Sequence, residues 1–156
     1  MDDDAVLAVL DSLAAAGCRA WVAGGWGVDA LIGRQTRRHR DLDLAIDARA
    51  EDAALHALAE HGYAVETDWR PVRVELAAPG DRWVDLHPVL LDDYGNGTQQ
   101  DLDGGVFVYP ADCFVTGTIG GRTVSCLSVE QQLIFHSGYQ PRDVDLADIA
   151  LLRALA

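Results

Sequence analysis

Asp41 and Asp43 are the residues of this chain whose type and spacing point most directly to phosphoryl chemistry. They begin a segment, Asp41–Asp47, in which carboxylates alternate with aliphatic side chains, a pattern typical of a half-buried strand. Residues two apart on a strand point the same way, with Cα atoms roughly 6.5–7 Å apart. Their carboxylates can therefore converge on two divalent cations, at the roughly 3.5–4 Å spacing of two-metal phosphoryl transfer. Magnesium, which prefers hard oxygen ligands, is the ion expected there.

A third carboxylate, Asp85, lies in another strand-like segment, Trp83–His87, and shares a face with His87. A neighbouring strand could deliver Asp85 to the same centre, either as a third metal ligand or as the base for an attacking hydroxyl. Glu75, on the preceding strand, competes with Asp85 for the role of base. His87 either contacts the site or simply packs.

The glycine pair Gly24–Gly25 separates a short apolar strand from the start of a helix. Glycines at such a junction let the backbone approach a phosphate, and the N–H groups of the helix start attract it. The loop that follows, residues 33–40, holds four of the twelve arginines of the chain and could stabilise the charge of a triphosphate. The residues of this loop expected to contact the nucleotide are Arg37, His39 and Arg40.

The elements that must position these residues alternate between helices and strands. Apolar spacing and capping residues predict helices near the chain start and at Trp26–Ile32, Ala50–His61, Ser128–His136 and Arg142–Leu155. Alternating or short apolar runs predict strands at Ala20–Ala23, Asp41–Asp47, Tyr63–Asp68, Val72–Ala78, Arg82–Leu91, Val106–Tyr109 and Arg122–Cys126. The stretch Asp92–Gly105 is predicted to be a mobile loop, and Gly138 and Pro141 separate the last two helices. This mixed order, with an antiparallel hairpin, predicts the α+β class.

Composition excludes several functions. The chain has 156 residues, a net charge of −13 and no lysine, so its twelve basic side chains are all arginine. Schiff-base chemistry, a lysyl-nucleotide intermediate and a Gly-Lys-Ser/Thr phosphate loop are therefore impossible. The negative charge argues against a nucleic-acid partner and suits metal cations or a cationic small molecule. We expect a cytoplasmic protein without a membrane partner, because neither a signal peptide nor a membrane-spanning stretch is recognisable.

The segment Gly24–Leu31, followed by Gly33–Arg37 and His39–Asp43, resembles the small antibiotic nucleotidyltransferases. These include the aminoglycoside 2''-nucleotidyltransferases and the short lincosamide nucleotidyltransferases. The resemblance covers nearly the whole chain. It continues at Val84–Pro88, Tyr109–Pro110, Gly117–Gly121 and His136–Tyr139.

The resemblance implies a polymerase-β-like nucleotidyltransferase fold, a mixed sheet flanked by helices with a C-terminal helical appendage. Residues 1–110 would form the nucleotidyltransferase core, and residues 111–156 would complete the acceptor cleft within one compact unit. By the same resemblance Asp41, Asp43 and Asp85 bind two Mg²⁺ ions, and Asp85 is the base. Gly24 and Gly25 would hold the triphosphate of an NTP.

The activity implied is transfer of a nucleoside monophosphate, AMP being expected, from NTP to a hydroxyl of a small cationic antibiotic. The main prediction is an aminoglycoside-like acceptor, with a lincosamide as the alternative. Two further hypotheses are a protein-modifying nucleotidyltransferase of toxin–antitoxin type and a non-catalytic drug- or nucleotide-binding module. The chain is expected to be a monomer or a homodimer.

Overall fold

One mixed sheet organises the part of the chain that the computed structural model describes, residues 1–137 and 139–156. Gly138, expected to separate the last two helices, lies outside the described residues. The helices are α1 (Asp3–Ala15), α2 (Gly24–Ile32), α3 (Glu51–Glu60), α4 (Val129–Phe135) and α5 (Asp143–Leu155). The strands are β1 (Ala20–Ala23), β2 (Asp41–Asp47), β3 (Ala64–Trp69), β4 (Arg73–Ala78), β5 (Arg82–Leu91), β6 (Gly97–Gln100), β7 (Val106–Tyr109), β8 (Phe114–Ile119) and β9 (Arg122–Leu127).

The sheet runs in the order β3-β4-β5-β2-β1-β9-β8, and β6 and β7 extend it from β5. Strand β2 pairs in parallel with β5, and β1 pairs in parallel with β9. The remaining pairs are antiparallel, including the β4–β5 hairpin that the sequence predicts. The observed mixed sheet with flanking helices confirms the predicted fold class.

The prediction of a loop over Asp92–Gly105 is wrong at Gly97–Gln100, where strand β6 forms. Residues Thr98 and Gly97 pair with Leu90 and Leu91 of β5, and all four residues of β6 pair with β7. This short strand therefore owes its conformation to two neighbouring strands rather than to its own polar sequence.

Two other elements depart from the sequence prediction. Helix α2 begins at Gly24 rather than Trp26, so the glycine pair forms the first turn of the helix itself. Strand β8 was not predicted, because threonine and glycine interrupt its apolar residues. Gly117 lets β8 lie against α2, since a Cβ there would come within 2.4 Å of the carbonyl oxygen of Ala30.

The alternation of β2 sorts its side chains between the core and the opposite face of the sheet. Leu42 and Leu44 are fully buried in a core that α1 and α3 complete with Leu13 and Leu58. The carboxylates at the alternate positions therefore project to the other face. Among the described residues, no helix is long and apolar enough to span a bilayer.

Candidate active site

The carboxylates of Asp43 and Asp85 lie side by side on the two parallel central strands. The two residues are register partners, and parallel partners point to the same face of the sheet. One ligand atom each from Asp43, Asp85 and His87 lies within 4.8 Å of the others. Asp41 does not belong to that group, but it lies two residues before Asp43 on β2 and lines the same cavity. The sheet thus brings the predicted carboxylates together in one cavity and adds a histidine to them.

Glu75, the competitor for the role of base, is the register partner of Asp85 on the other side. Glu75 lies on β4, one strand farther than Asp85 from the central strand β2. Its carboxylate lies 3.4 Å from the hydroxyl of Thr67 on β3. Among the described residues that line the cavity, Asp85 is present and Glu75 is not. This placement favours Asp85 as the base.

Two side chains hydrogen-bond to the carboxylate pair. Arg73, at the start of β4, donates from Nη1 to Oδ2 of Asp85 at 3.0 Å. The Nε2 atom of His87 lies 3.4 Å from Oδ1 of Asp43. Sequence reasoning missed Arg73, because nothing in a lone arginine at a strand end indicates which carboxylate it will meet across a hairpin.

The electrostatics of the cluster suit a cation. Burial, and then repulsion by Asp43, raise the pKa of Asp85 to about 6, although His87 and Arg73 act in the opposite direction. Burial and Asp43 also raise the pKa of Asp41. The Oδ1 atom of Asp85 is buried without a hydrogen-bond partner in the described part of the chain. Hard oxygen donors that repel each other, one of them unsatisfied, are what a magnesium ion would stabilise.

The first turn of α2 is packed so closely against the cluster that only glycine fits. Gly24 has a φ of +57°, and a Cβ there would lie 2.1 Å from Oδ2 of Asp43. A Cβ on Gly25 would meet Nδ1 of His39 at 2.3 Å and Nη2 of Arg37 at 2.8 Å. The residue before the helix, Ala23, has no capping side chain. The backbone N–H groups of this helix start therefore suit an anion beside the carboxylates.

His39 is held from behind by a buried aspartate. The Oδ2 atom of Asp29, a residue of α2 that is only 1% exposed, forms a short hydrogen bond with Nε2 of His39. Thr36 donates its backbone N–H at 3.0 Å, and also its hydroxyl, to the other oxygen of Asp29. Asp29 is therefore not a surface charge of α2, because its carboxylate is buried behind His39. The ring of His39 consequently presents Nδ1 to Gly25.

The two predicted arginines both line the cavity but have protein partners. Arg37 donates from Nη2 to Oδ2 of Asp148 on α5, at 2.7 Å. The guanidinium of Arg40 lies over the ring of Trp83, 4.6 Å from its centroid. Arg37 lies beside the start of α2, where a triphosphate would need positive charge, and Arg40 lines the same cavity.

The cavity between these groups has a volume of about 520 Å³, within the usual range for a small-molecule site. Its far wall is mostly aromatic and apolar, and comes from β7, the end of α4 and the start of α5. Asp145 on this wall accepts two hydrogen bonds from the Arg142 guanidinium, each 3.0 Å long. The wall residues are Phe107, Tyr109, Phe135, His136, Tyr139, Arg142, Val144, Asp145 and Asp148.

A mixed sheet of this order, with paired carboxylates beside a glycine helix start, has the architecture of a nucleotidyltransferase. The sequence model described as Aminoglycoside-2''-adenylyltransferase matches residues 5–152. The chain therefore belongs to this family of antibiotic nucleotidyltransferases, as its sequence motifs predict.

Individual relatives refine this placement. The chain is 40% identical over 135 residues to a lincosamide resistance protein of Staphylococcus haemolyticus, covering 86% of this chain and 84% of that protein. It is 32% identical over 137 residues to a 2''-aminoglycoside nucleotidyltransferase of Klebsiella pneumoniae, covering 83% and 71%. Its structure is similar to that of the lincosamide antibiotic adenylyltransferase LnuA with lincomycin bound. The TM-score is 0.88 and the identity 37%, over 98% of this chain and 97% of that one.

Proposed function

We propose that this enzyme transfers AMP from ATP to a hydroxyl group of a lincosamide-type antibiotic and releases pyrophosphate. The alternative acceptor of the sequence analysis is thus preferred to the aminoglycoside. The observation that carries the transfer is the arrangement of Asp43 and Asp85 beside the start of α2 in one cavity. The observation that favours a lincosamide is the likeness to the lincomycin-bound enzyme over nearly the full length of both chains.

The far wall of the cavity supports the same acceptor. An aminoglycoside carries several ammonium groups and needs unpaired carboxylates, whereas a lincosamide carries a single basic nitrogen. Here Asp145 is paired with Arg142, and Asp148 with Arg37. The exposed side chains of this wall include Phe107, 38% exposed, and Tyr139, 48% exposed, together with the guanidinium of Arg142. Such a wall suits an acceptor that is largely apolar.

The residues that would hold magnesium are Asp41, Asp43 and Asp85. Bound there, Mg²⁺ would supply positive charge to the phosphate oxygens and to the attacking oxygen. The triphosphate would lie against the N–H groups of Gly24 and Gly25.

The acceptor hydroxyl would approach the carboxylate of Asp85, which is ionised above its pKa of about 6 and can accept the hydroxyl proton. The acceptor oxygen forms a bond to the α-phosphorus of the nucleotide, and the bond from that phosphorus to the bridging oxygen breaks. Arg37, His39 and Arg40 line the side on which the pyrophosphate leaves. The guanidinium groups would stabilise its charge.

The two parts of the chain, residues 1–110 and 111–156, would have different roles in the site. We propose that residues 1–110 supply the carboxylates and the nucleotide side, and that residues 111–156 complete the acceptor cleft. Residues from both parts line the cavity. The chain would act as a monomer or as a homodimer.

The test is a pyrophosphate-release assay with ATP, Mg²⁺ and, in separate reactions, lincomycin, clindamycin, tobramycin and kanamycin. We expect release with the lincosamides, accompanied by addition of one AMP to the drug in the mass spectrum. Asp43→Asn should abolish the release, whereas the matched variant Asp103→Asn, at the exposed second position of another Asp-x-Asp pair, should retain it. Turnover with the aminoglycosides alone would overturn the lincosamide assignment, and a fully active Asp43→Asn would overturn the site.

A further inference from the structure

Gln99 on β6 is a buried amide that touches three different elements. It is only 6% exposed. Its Nε2 atom donates to the carbonyl oxygen of Val72 at 3.0 Å and lies 3.3 Å from Nδ1 of His87. Its Oε1 atom accepts a hydrogen bond from the hydroxyl of Tyr109. Gln99, His87 and Tyr109 all line the cavity that holds the carboxylates.

The partners of this amide determine which way it points. The carbonyl of Val72 can only accept, so the NH₂ group of Gln99 must face it. A flipped amide would place two oxygens against each other. The same NH₂ group faces Nδ1 of His87, so Nδ1 must act as an acceptor. The neutral imidazole therefore carries its hydrogen on Nε2.

This tautomer sets what His87 can do in the cluster. Its Nε2–H group points at Oδ1 of Asp43, across 3.4 Å. A ring nitrogen that carries a hydrogen has no lone pair for a metal ion. His87 therefore donates to Asp43 instead of acting as a ligand. The second oxygen of Asp43, Oδ2, faces Gly24.

The other contact of Gln99 reaches the second carboxylate. Val72 immediately precedes Arg73, which donates to Asp85 at 3.0 Å. By holding the Val72 carbonyl, Gln99 fixes the start of β4 from which this arginine extends. The Gln99 amide thus positions both hydrogen-bond donors of the carboxylate pair. These donors are His87, which faces Asp43, and Arg73, which faces Asp85.

We propose that Gln99 is a positioning residue of the active site, which fixes His87 as the Nε2–H tautomer that orients Asp43. Through Val72 it also holds Arg73 against Asp85. Its effect on catalysis rests on the proposed function, whereas the tautomer of His87 does not. His87 and Arg73 are the hydrogen-bonding partners of the proposed metal ligands, and loss of such partners typically changes metal affinity or activity by about 10–100-fold.

The first test is the tautomer itself, read from long-range ¹H–¹⁵N spectra of the histidine rings in metal-free protein. The signals of His87 are assigned by their loss in His87→Gln. We expect the Nε2–H pattern in the wild type, at a pH where the ring is neutral, and Nδ1–H in Gln99→Glu, where an acceptor replaces the NH₂ group. Gln100→Glu, the same change at the exposed neighbouring position, should keep the wild-type pattern. An Nδ1–H pattern in the wild type would overturn the proposal, whether or not Gln99→Glu folds.

The second test measures positioning. Gln99→Met, which keeps the length of the side chain and loses its hydrogen bonds, should bind Mn²⁺ alone about 10–100-fold more weakly and lower kcat, with little change in acceptor KM. Gln100→Met is the control. Tyr109→Phe, which removes only the hydroxyl that anchors Oε1, should show a smaller loss of the same kind. Wild-type Mn²⁺ affinity and kcat in a folded Gln99→Met would overturn the positioning role. An Nε2–H His87 in a protein that adenylylates no acceptor would instead refute the proposed function and leave the tautomer standing.

Discussion

The guanidinium of Arg37 donates two hydrogen bonds to the buried carboxylate of Asp148, with 2.7 Å between Nη2 and Oδ2 and 3.3 Å between Nε and Oδ1. Arg37 lies in the loop before β2, and Asp148 lies on α5. The same guanidinium stands beside the first turn of α2, 2.8 Å from the position a Cβ would take on Gly25. This ion pair therefore links the loop before β2 and the start of α2 to helix α5, which contributes to the far wall of the cavity.

Asp148→Asn should lower the free energy of unfolding by about 1–3 kcal/mol, because it weakens a charge-assisted contact whose carboxylate side chain is only 3% exposed. The measurement is urea denaturation at constant pH. The control is Asp11→Asn, which alters an Arg–Asp pair in which both side chains are more than half exposed and should leave stability nearly unchanged. Equal losses of unfolding free energy in the two variants would show that the burial of Asp148 does not strengthen its ion pair with Arg37.

Gly24→Ala should abolish turnover, because the new Cβ would lie 2.1 Å from Oδ2 of Asp43 and displace that carboxylate. The matched control is Gly33→Ala at the other end of α2. Gly33 also has a positive φ, +82°, but a Cβ there meets nothing within 4 Å. Both variants should lose thermal stability through backbone strain, and only Gly24→Ala should lose its activity. A Gly33→Ala enzyme as inactive as Gly24→Ala would contradict this argument.

Asp85→Asn should reduce kcat by about 10²–10⁴-fold, the usual contribution of a general base. Glu75→Gln should retain most of the activity, since Glu75 stands one strand farther from the centre and does not line the cavity among the described residues. Steady-state pyrophosphate release measures both variants. The reverse ranking would assign the role of base to Glu75.

The raised pKa of Asp85 predicts a pH dependence of stability. The folded protein binds this proton more tightly than the unfolded chain, because the pKa rises from 3.8 to about 6 on folding. The resulting contribution to stability is complete below the unfolded value and is lost as the pH rises through about 6. Relative to Asp85→Asn, the wild type should therefore lose up to about 3 kcal/mol between acidic and neutral pH. Urea denaturation with EDTA at a series of pH values tests this, and a constant difference would refute it.

Arg73→Gln should shift the acidic limb of the kcat/KM profile to higher pH, because the positive charge of Arg73 lowers the pKa of Asp85. Without that charge, burial and Asp43 should raise the pKa of Asp85 further. Arg82→Gln, on the same hairpin but bonded to the Pro79 carbonyl, should leave the limb in place. The pH profiles of the three proteins, measured with saturating Mg-ATP, provide the comparison.

Sequence patterns predicted the individual strands of the site better than their assembly. The alternation from Asp41 predicted β2, and the bounds of β5 were predicted as Arg82–Leu91. Helix α2 and the glycine pair were placed correctly within two residues. The choice of parallel partners, which brings Asp43 next to Asp85, depends on packing between distant segments that no local pattern encodes.

The residues that the sequence missed take their roles from tertiary contacts. Gln99 lies in a polar stretch that becomes a strand only between β5 and β7, so its burial was invisible. Arg73 acquires its role from a hairpin register. The burial of Asp29 depends on His39, which comes from a loop beyond α2 and not from the helix itself.

The two sides of the cavity have separate origins, and this has a consequence for the evolution of drug resistance. The carboxylates belong to the central strands β2 and β5, whose alternate residues form the core. The far wall of the cavity, which we propose receives the acceptor, includes the partly exposed side chains of Phe107, Tyr139 and Val144, at the periphery of the fold. Substitutions there can alter the range of drugs that the enzyme modifies at little cost to folding or to phosphoryl transfer. New drug analogues that avoid inactivation should therefore block the hydroxyl that is modified, since bulk added against this wall is easily accommodated by mutation.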